Sequence, residues 1–312
     1  GDKEKGSITQ TIKRNKNLFV GKIHSSRGFD FLIPDGNVPF DIFIRKKTPV
    51  KNLKNKKVLV EVVSWDSSKK NPEGKIVGVL GHSKSHDVEM TSILYQHNLN
   101  STFSKEIENY ARSISEKIPL SEIKKRVDFR KTPTFTIDPE DAKDYDDALS
   151  VKKLKNGNWE IGVHIADVGF YVKENDCLDK ESLNRSTSVY LVDRVIPMLP
   201  EKLSNNICSL KQGVDRLCYS VILEMDSKCS VVSSEIKKSI IHSDKRFTYE
   251  EAQKIIDDKK GLFLEELSIL HQFSKKMRVR RFNSGSINFD REEVRFVLDK
   301  QNNPVDVFFK KT

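Results

Sequence analysis

Between residues 18 and 80 the apolar positions come in short runs that alternate with polar ones, at 18–23, 29–33, 41–44, 58–63 and 76–80. Pro34-Asp35-Gly36 and Asn71-Pro72-Glu73-Gly74 break them up. Period-two runs bounded by turn residues predict strands, and five in so short a stretch predict a small barrel. From Asp87 to Lys125 that alternation disappears, and Ile107, Tyr110, Ala111, Ile114 and Ile118 recur at a spacing that predicts one face of a helix. Strands return at 133–137, 148–151 and 159–165, the last two joined by an Asn156-Gly157 hairpin turn. Helical periodicity follows at 249–258 and 262–281, the first opened by Thr248 and Glu251 as a capping box. The chain therefore divides into an all-β barrel at 1–84, a helical connector at 85–125 and an α+β domain at 126–312.

Charge adds a partner class to this picture. Lysine and arginine number 55 against 45 acidic residues, a net charge of +10, which suits a polyanion or simply solubility. Its distribution is sharper, because residues 1–80 hold 17 basic and 8 acidic side chains, nearly all of the excess. Cys177, Cys208, Cys218 and Cys229 lack CxxC spacing, so neither a zinc site nor a disulfide framework is expected. No apolar run approaches the ~20 residues that span a bilayer, and the first residues lack the apolar stretch of a signal peptide. A cytoplasmic protein without a membrane partner is the expectation.

On the second predicted strand Phe29 and Phe31 project from one face, and Phe43 would come from a neighbouring strand, so the three rings can form a stacking platform for bases. Lys22, Arg27 and Arg45, with Lys46 and Lys47, can follow a phosphate backbone. The plainer alternative is a barrel core under a solvated basic face.

The acidic segment 136–147 reads Thr-Ile-Asp-Pro-Glu-Asp-Ala-Lys-Asp-Tyr-Asp-Asp. It lies between two predicted strands, so its carboxylates should converge on one spot. Like charges so crowded raise one another's pKa values and call for a neutralising cation; hard oxygen donors select Mg²⁺ or Mn²⁺. Two such ions can activate water and stabilise the leaving oxygen of a phosphodiester. An EF-hand loop fits poorly because glycine and glutamate are missing at the required offsets, whereas a solvated acidic turn stays open as the plain alternative.

Residues 28–33 followed by 41–44 resemble the paired RNA-binding strands of cold-shock domains, which have a five-stranded OB barrel; Asp30 and Arg45 depart from that pattern. The signature Thr-Ile-Asp-x5-Asp-x-Asp-Asp-Ala at 136–148 resembles that of the RNB catalytic domain of ribonuclease II and ribonuclease R. Supporting segments follow in family order: Val163-His164-Ile165-Ala166-Asp167-Val168, Thr187-Ser188-Val189-Tyr190, Ile196-Pro197-Met198-Leu199-Pro200 and Ile207-Cys208-Ser209-Leu210. With Arg126-Val127-Asp128-Phe129-Arg130 and Gly285-Ser286-Ile287-Asn288-Phe289, the chain is identified as a member of the RNB exoribonucleases, nearer the bacterial ribonuclease R branch.

The resemblance implies a multidomain protein with an OB barrel, a helical connector and the first part of an RNB domain. It implies metal positions at Asp138, Asp144, Asp146 and Asp147, catalytic roles for Asp144, Asp146 and Tyr190, and a Tyr190 ring against the 3′-terminal nucleotide. Tyr145 would be scaffold, His164 a hydrogen-bonding residue of the interior and Asp167 structural. The implied activity is processive 3′→5′ hydrolysis of single-stranded RNA, or RNA with a 3′ overhang, to nucleoside 5′-monophosphates with Mg²⁺, by a monomer that threads its substrate from the barrel to the aspartates. The family's arginine-rich catalytic segment and S1 barrel do not occur in these residues, which implies a piece that binds RNA and cleaves it poorly alone. The alternatives are a non-catalytic RNA-binding or chaperone module, and an endonuclease with the same metal site.

Overall fold

A computed structural model describes residues 9–26, 28–45, 53–66, 71–287, 292–301 and 303–311. The chain forms two compact units. One holds the residues up to Thr102 with 191–196 and 298–305, and the other holds Phe103–Tyr190, Pro197–Val297 and the residues after Val305.

The first unit is built on β1 (Leu18–Ser26), β2 (Phe29–Pro34), β3 (Ile42–Ile44), β4 (Lys56–Ser64) and β5 (Glu73–His82). They close into the expected barrel in the order β1-β2-β3-β5-β4. Alternation turns Phe19, Leu32, Ile42, Ile44, Val58 and Val60 inward, where they form one core and remove apolar surface from water at roughly 25 cal/mol per Å². At Gly21 a Cβ would fall 2.0 Å from the Ile33 carbonyl oxygen, so β1 meets β2 there only as glycine. The turn expected at 71–74 is shorter, because Glu73 already opens β5 and pairs in parallel with Phe43. Helix α1 (His86–Gln96) is tied to the barrel by the buried Lys57, whose ammonium lies 2.7 Å from Asp35 and 2.6 Å from Glu89.

In the second unit α2 (Lys105–Ser113) and α3 (Leu120–Ile123) come first. The single helical face expected at 107–118 is corrected: α2 stops at Ser113, and Ile118 precedes Pro119, whose ring disfavours helical backbone before it. Ile114 and Ile118 nevertheless pack on the core beside Ile107 and Ala111, while Tyr110 turns outward. The strands are β6 (Val127–Asp128), β7 (Thr134–Asp138), β8 (Asp147–Lys153), β9 (Trp159–Ala166), the two-residue pieces β10 (Val189–Tyr190) and β11 (Val195–Ile196, counted with the first unit), β12 (Asp215–Met225), β13 (Val231–His242) and β14 (Lys245–Thr248).

Seven of these strands make one sheet, ordered β14-β7-β8-β9-β12-β13-β6. Its middle is antiparallel, and its outermost strands are parallel to their neighbours. Helices α4 (Val168–Tyr171) and α5 (Cys177–Arg185), with a π-helical turn at Leu203–Ile207, pack on Leu217 and Ile240. Helices α6 (Tyr249–Asp258) and α7 (Leu264–Asn283) pack against the same sheet, and Phe135, Phe247, Ala252 and Leu267 form the core between them and β7 and β14. The capping box is present, with Thr248 and Glu251 each bonding the other's backbone N–H at 3.0 Å. Among the described residues no helix is long and apolar enough to cross a membrane.

Candidate active site and nucleic-acid interface

Strand β7 ends on Asp138 and its antiparallel neighbour β8 begins on Asp147. The four candidate aspartates are thus delivered by two adjacent strand ends and the loop between them. Main-chain contacts fix that loop. Arg246 of β14 donates from Nη2 to the carbonyls of Pro139 and Glu140. Ser209 Oγ donates to the Lys143 carbonyl and accepts from the Tyr145 N–H, both at 3.0 Å. Leu210 N–H donates to the Tyr145 carbonyl at 2.8 Å, and Ala166 N–H to that of Asp146 at 3.0 Å. Tyr145 itself donates to the Ala142 carbonyl at 3.0 Å, which is scaffold work.

Asp138 is buried; its Oδ2 has no hydrogen-bond partner within 3.5 Å, although the buried Thr136 hydroxyl on the same strand is near enough to act on the carboxyl. Burial pushes the Asp138 pKa up; Thr136 opposes, Asp147 adds, Arg246 opposes and Asp144 adds. Asp146 is pushed up by desolvation first and then by Asp144, Asp147 and Asp138. That the carboxylates act on one another shows that the strand ends and the loop place them in one locality, against their mutual repulsion.

Asp144 Oδ2 accepts a 2.8 Å hydrogen bond from Tyr190 Oη. The ring of Tyr190 is 64% exposed, so it is no core aromatic. Its hydroxyl pKa is pushed up to about 12, first by that bond, then by burial and the charges of Asp144 and Asp146, and it stays a neutral donor.

Among the described residues no three His, Cys, Asp or Glu side chains form a group that could hold a metal ion. The donors still suit a hard divalent cation, being all oxygen, and the orphaned Asp138 Oδ2 is a buried acceptor that calls for a partner. His164 is structural: Ser220 Oγ at 2.6 Å and Ser150 Oγ at 2.9 Å occupy its two ring nitrogens, and burial lowers its pKa to about 4. A Cβ at Gly162 would lie 2.6 Å from that ring. Asp167 is structural too, 2.6 Å from the buried Arg126 and accepting from the Phe170 N–H at the start of α4.

On the barrel, register pairs His24 with Phe31 and Phe31 with Phe43, so β1, β2 and β3 share one outer face. Phe43 lies 5.6 Å from Phe31 and 6.0 Å from Phe29, ring centre to ring centre. Phe29 and Lys22 are exposed, Phe31 and Phe43 half-buried. Arg45 reaches the surface with its guanidinium on Glu73 at 3.0 Å. Arg27, Lys46 and Lys47 lie outside the described residues. His24 and Arg246 went unnoticed in the sequence, and Ser209 entered only within a family segment: their placement depends on a strand pairing or a distant contact, with 107 positions separating Arg246 from Pro139.

Comparison with known proteins matches residues 126–312 to the RNB domain and residues 31–104 to the cold shock domain. The chain is 36% identical to ribonuclease R of Thermotoga maritima, over 98% of this chain and 44% of that protein. It is 33% identical to the human exosome complex exonuclease RRP44, over 98% of this chain and 33% of that protein. The chain therefore spans less than half the length of these relatives. Among solved structures, Mycoplasma genitalium RNase R in complex with ribose methylated single-stranded RNA superposes with a TM-score of 0.89 at 24% identity, covering 99% of this chain and 50% of that one. Yeast Ssd1, a pseudonuclease, superposes with a TM-score of 0.70 at 21% identity, covering 88% of this chain and 35% of that one.

Proposed function

This chain belongs to the RNB-domain ribonuclease family, and from that premise we propose that it hydrolyses single-stranded RNA, or RNA with a 3′ overhang, processively from the 3′ end to nucleoside 5′-monophosphates, as a cytoplasmic monomer using Mg²⁺ or Mn²⁺. The observation that carries the reading is the buried Asp138, whose Oδ2 has no hydrogen-bond partner within 3.5 Å, among three further aspartates; burial first and then the neighbouring carboxylates lift the pKa values of Asp138 and Asp146. Asp138, Asp144, Asp146 and Asp147 would hold the cations, which when bound supply an activated water and charge stabilisation at the phosphodiester.

The chain's own residues orient the substrate. Tyr190, anchored by its hydroxyl on Asp144, offers its open ring to the terminal base. Phe29, Phe31 and Phe43 offer stacking surfaces at about 1–3 kcal/mol per base, and Lys22 and Arg45 offer cationic contacts to the backbone.

A second reading is a non-catalytic RNA-binding module. It is favoured by the absence of a metal-holding group among the described residues and by the fold shared with the pseudonuclease Ssd1. Incubating the chain with uniformly labelled single-stranded RNA and Mg²⁺, with and without chelator, separates the two. Metal-dependent release of mononucleotides, with 3′-blocked RNA spared, is the expected result. Tight RNA binding with no release in Mg²⁺ or Mn²⁺ overturns it in favour of the second reading, and internal cuts in the blocked RNA reveal an endonuclease.

A further inference from the structure

The cation role of the acidic loop needs its carboxylates close together, yet the loop between Asp138 and Asp147 has no regular structure to enforce this. What enforces it at its first turn is a side chain from another strand. Strand β14 runs parallel to β7 with Arg246 opposite Thr136 and Thr248 opposite Asp138. Its backbone is anchored on three sides: Phe247 is buried, the Arg246 N–H donates to Gln212 at 3.0 Å, and Thr248 caps α6.

From this fixed base the Arg246 guanidinium crosses to the loop. Its Nη2 bonds the carbonyls of Pro139 and Glu140, and its Cζ stands 5.7 Å from the Tyr145 ring centre. One planar group thus grips both the start of the loop and the aromatic next to Asp146.

We propose that Arg246 is a positioning residue for the acidic site: by tethering the 139–140 carbonyls and stacking near Tyr145 it holds Asp138, Asp144, Asp146 and Asp147 in the arrangement that takes up a divalent cation. This rests on the reading of that loop as a cation site. Two effects of Arg246 pull in opposite directions, and their signs tell them apart. If its charge alone mattered, removing it would tighten cation binding, since one competing positive charge is gone. If positioning dominates, removing it loosens binding.

The test is Mn²⁺ binding, followed by electron paramagnetic resonance of the free ion, in the wild-type chain, Arg246→Gln and Arg246→Lys, with amide hydrogen exchange over residues 139–147. Contacts made directly to metal ligands set affinity by about 10–100-fold; Arg246 acts one step further out, through the loop backbone, so Arg246→Gln is expected to weaken Mn²⁺ by about tenfold, the low end of that range, and to speed exchange in the loop. Lysine keeps a charged donor but not the planar fork, so Arg246→Lys is expected to recover part of the affinity and protection, which guards against a glutamine variant that fails to fold. Unchanged or tighter Mn²⁺ binding in a folded Arg246→Gln protein overturns the positioning role alone. A wild-type chain that binds no Mn²⁺ overturns the cation site itself and this inference with it.

Discussion

Tyr190 and Asp144 are joined by a 2.8 Å hydrogen bond from the phenol to the carboxylate, so one of the four aspartates is held by the residue whose ring we propose to stack on RNA. Tyr190→Phe should therefore keep stacking and lose only the restraint on Asp144, whereas Tyr190→Ala should lose both. The expected outcome is a fall in kcat with little change in KM for phenylalanine, and a further loss of RNA affinity, about 1–3 kcal/mol for a stacked base, for alanine. Single-turnover kinetics and binding isotherms with a short oligonucleotide check this; equal effects of the two variants would contradict it.

Asp146→Asn should abolish mononucleotide release while leaving RNA affinity within about twofold, since the barrel and Tyr190 keep their stacking surfaces. A normal rate of release in this variant would remove Asp146 from the site.

Burial and repulsion raise the Asp138 pKa above its ordinary 3.8, so without metal the ionised carboxylate destabilises the fold. Below pH 3.8 it is protonated in both folded and unfolded chains and the penalty vanishes; the penalty grows as pH rises through the higher folded-state value. Asp138→Asn should therefore raise the melting temperature near neutral pH and change it little in acid. Mg²⁺ at 100 times its dissociation constant should stabilise the wild-type chain by about 2.7 kcal/mol and the variant far less. Thermal melts across pH, with and without Mg²⁺, measure both effects.

The platform on the barrel predicts that Phe43→Ala weakens single-stranded RNA binding by about 1–3 kcal/mol, because Phe43 touches both Phe29 and Phe31. Lys22→Ala should instead lower the salt dependence of binding by about 0.7 in slope if Lys22 meets one phosphate of a single strand. Fluorescence anisotropy titrations from low to high salt distinguish the two kinds of loss.

Removing Arg126 leaves the buried Asp167 with an uncompensated charge. Arg126→Met should cost about 3–5 kcal/mol of stability, seen in denaturant unfolding, where a loss below about 1 kcal/mol would mark the pair as dispensable.

Much of this was legible in the sequence because the relevant signals are local. The barrel strands show in alternation over a few residues, the start of α6 in the Thr248–Glu251 pair, and the acidic locality in the 136–147 run. What stayed hidden depends on residues far apart in the chain. Nothing near Arg246 shows that its strand will lie against β7, and nothing near Ser209 shows that its hydroxyl will fasten Lys143 and Tyr145. The early end of α2 is a competition that periodicity ignores: Ile114 and Ile118 are spaced for a helix, but Pro119 restricts the backbone before it while both isoleucines still reach the core.

The bonds that shape the acidic loop run to its carbonyls and amides, at Pro139, Glu140, Lys143, Tyr145 and Asp146. Its path and its reactivity are consequently written by different atoms. On the proposed function, exchanging the aspartates would silence the chemistry without erasing the loop's shape, so a descendant could shed the proposed cleavage in very few steps and still keep the surrounding architecture.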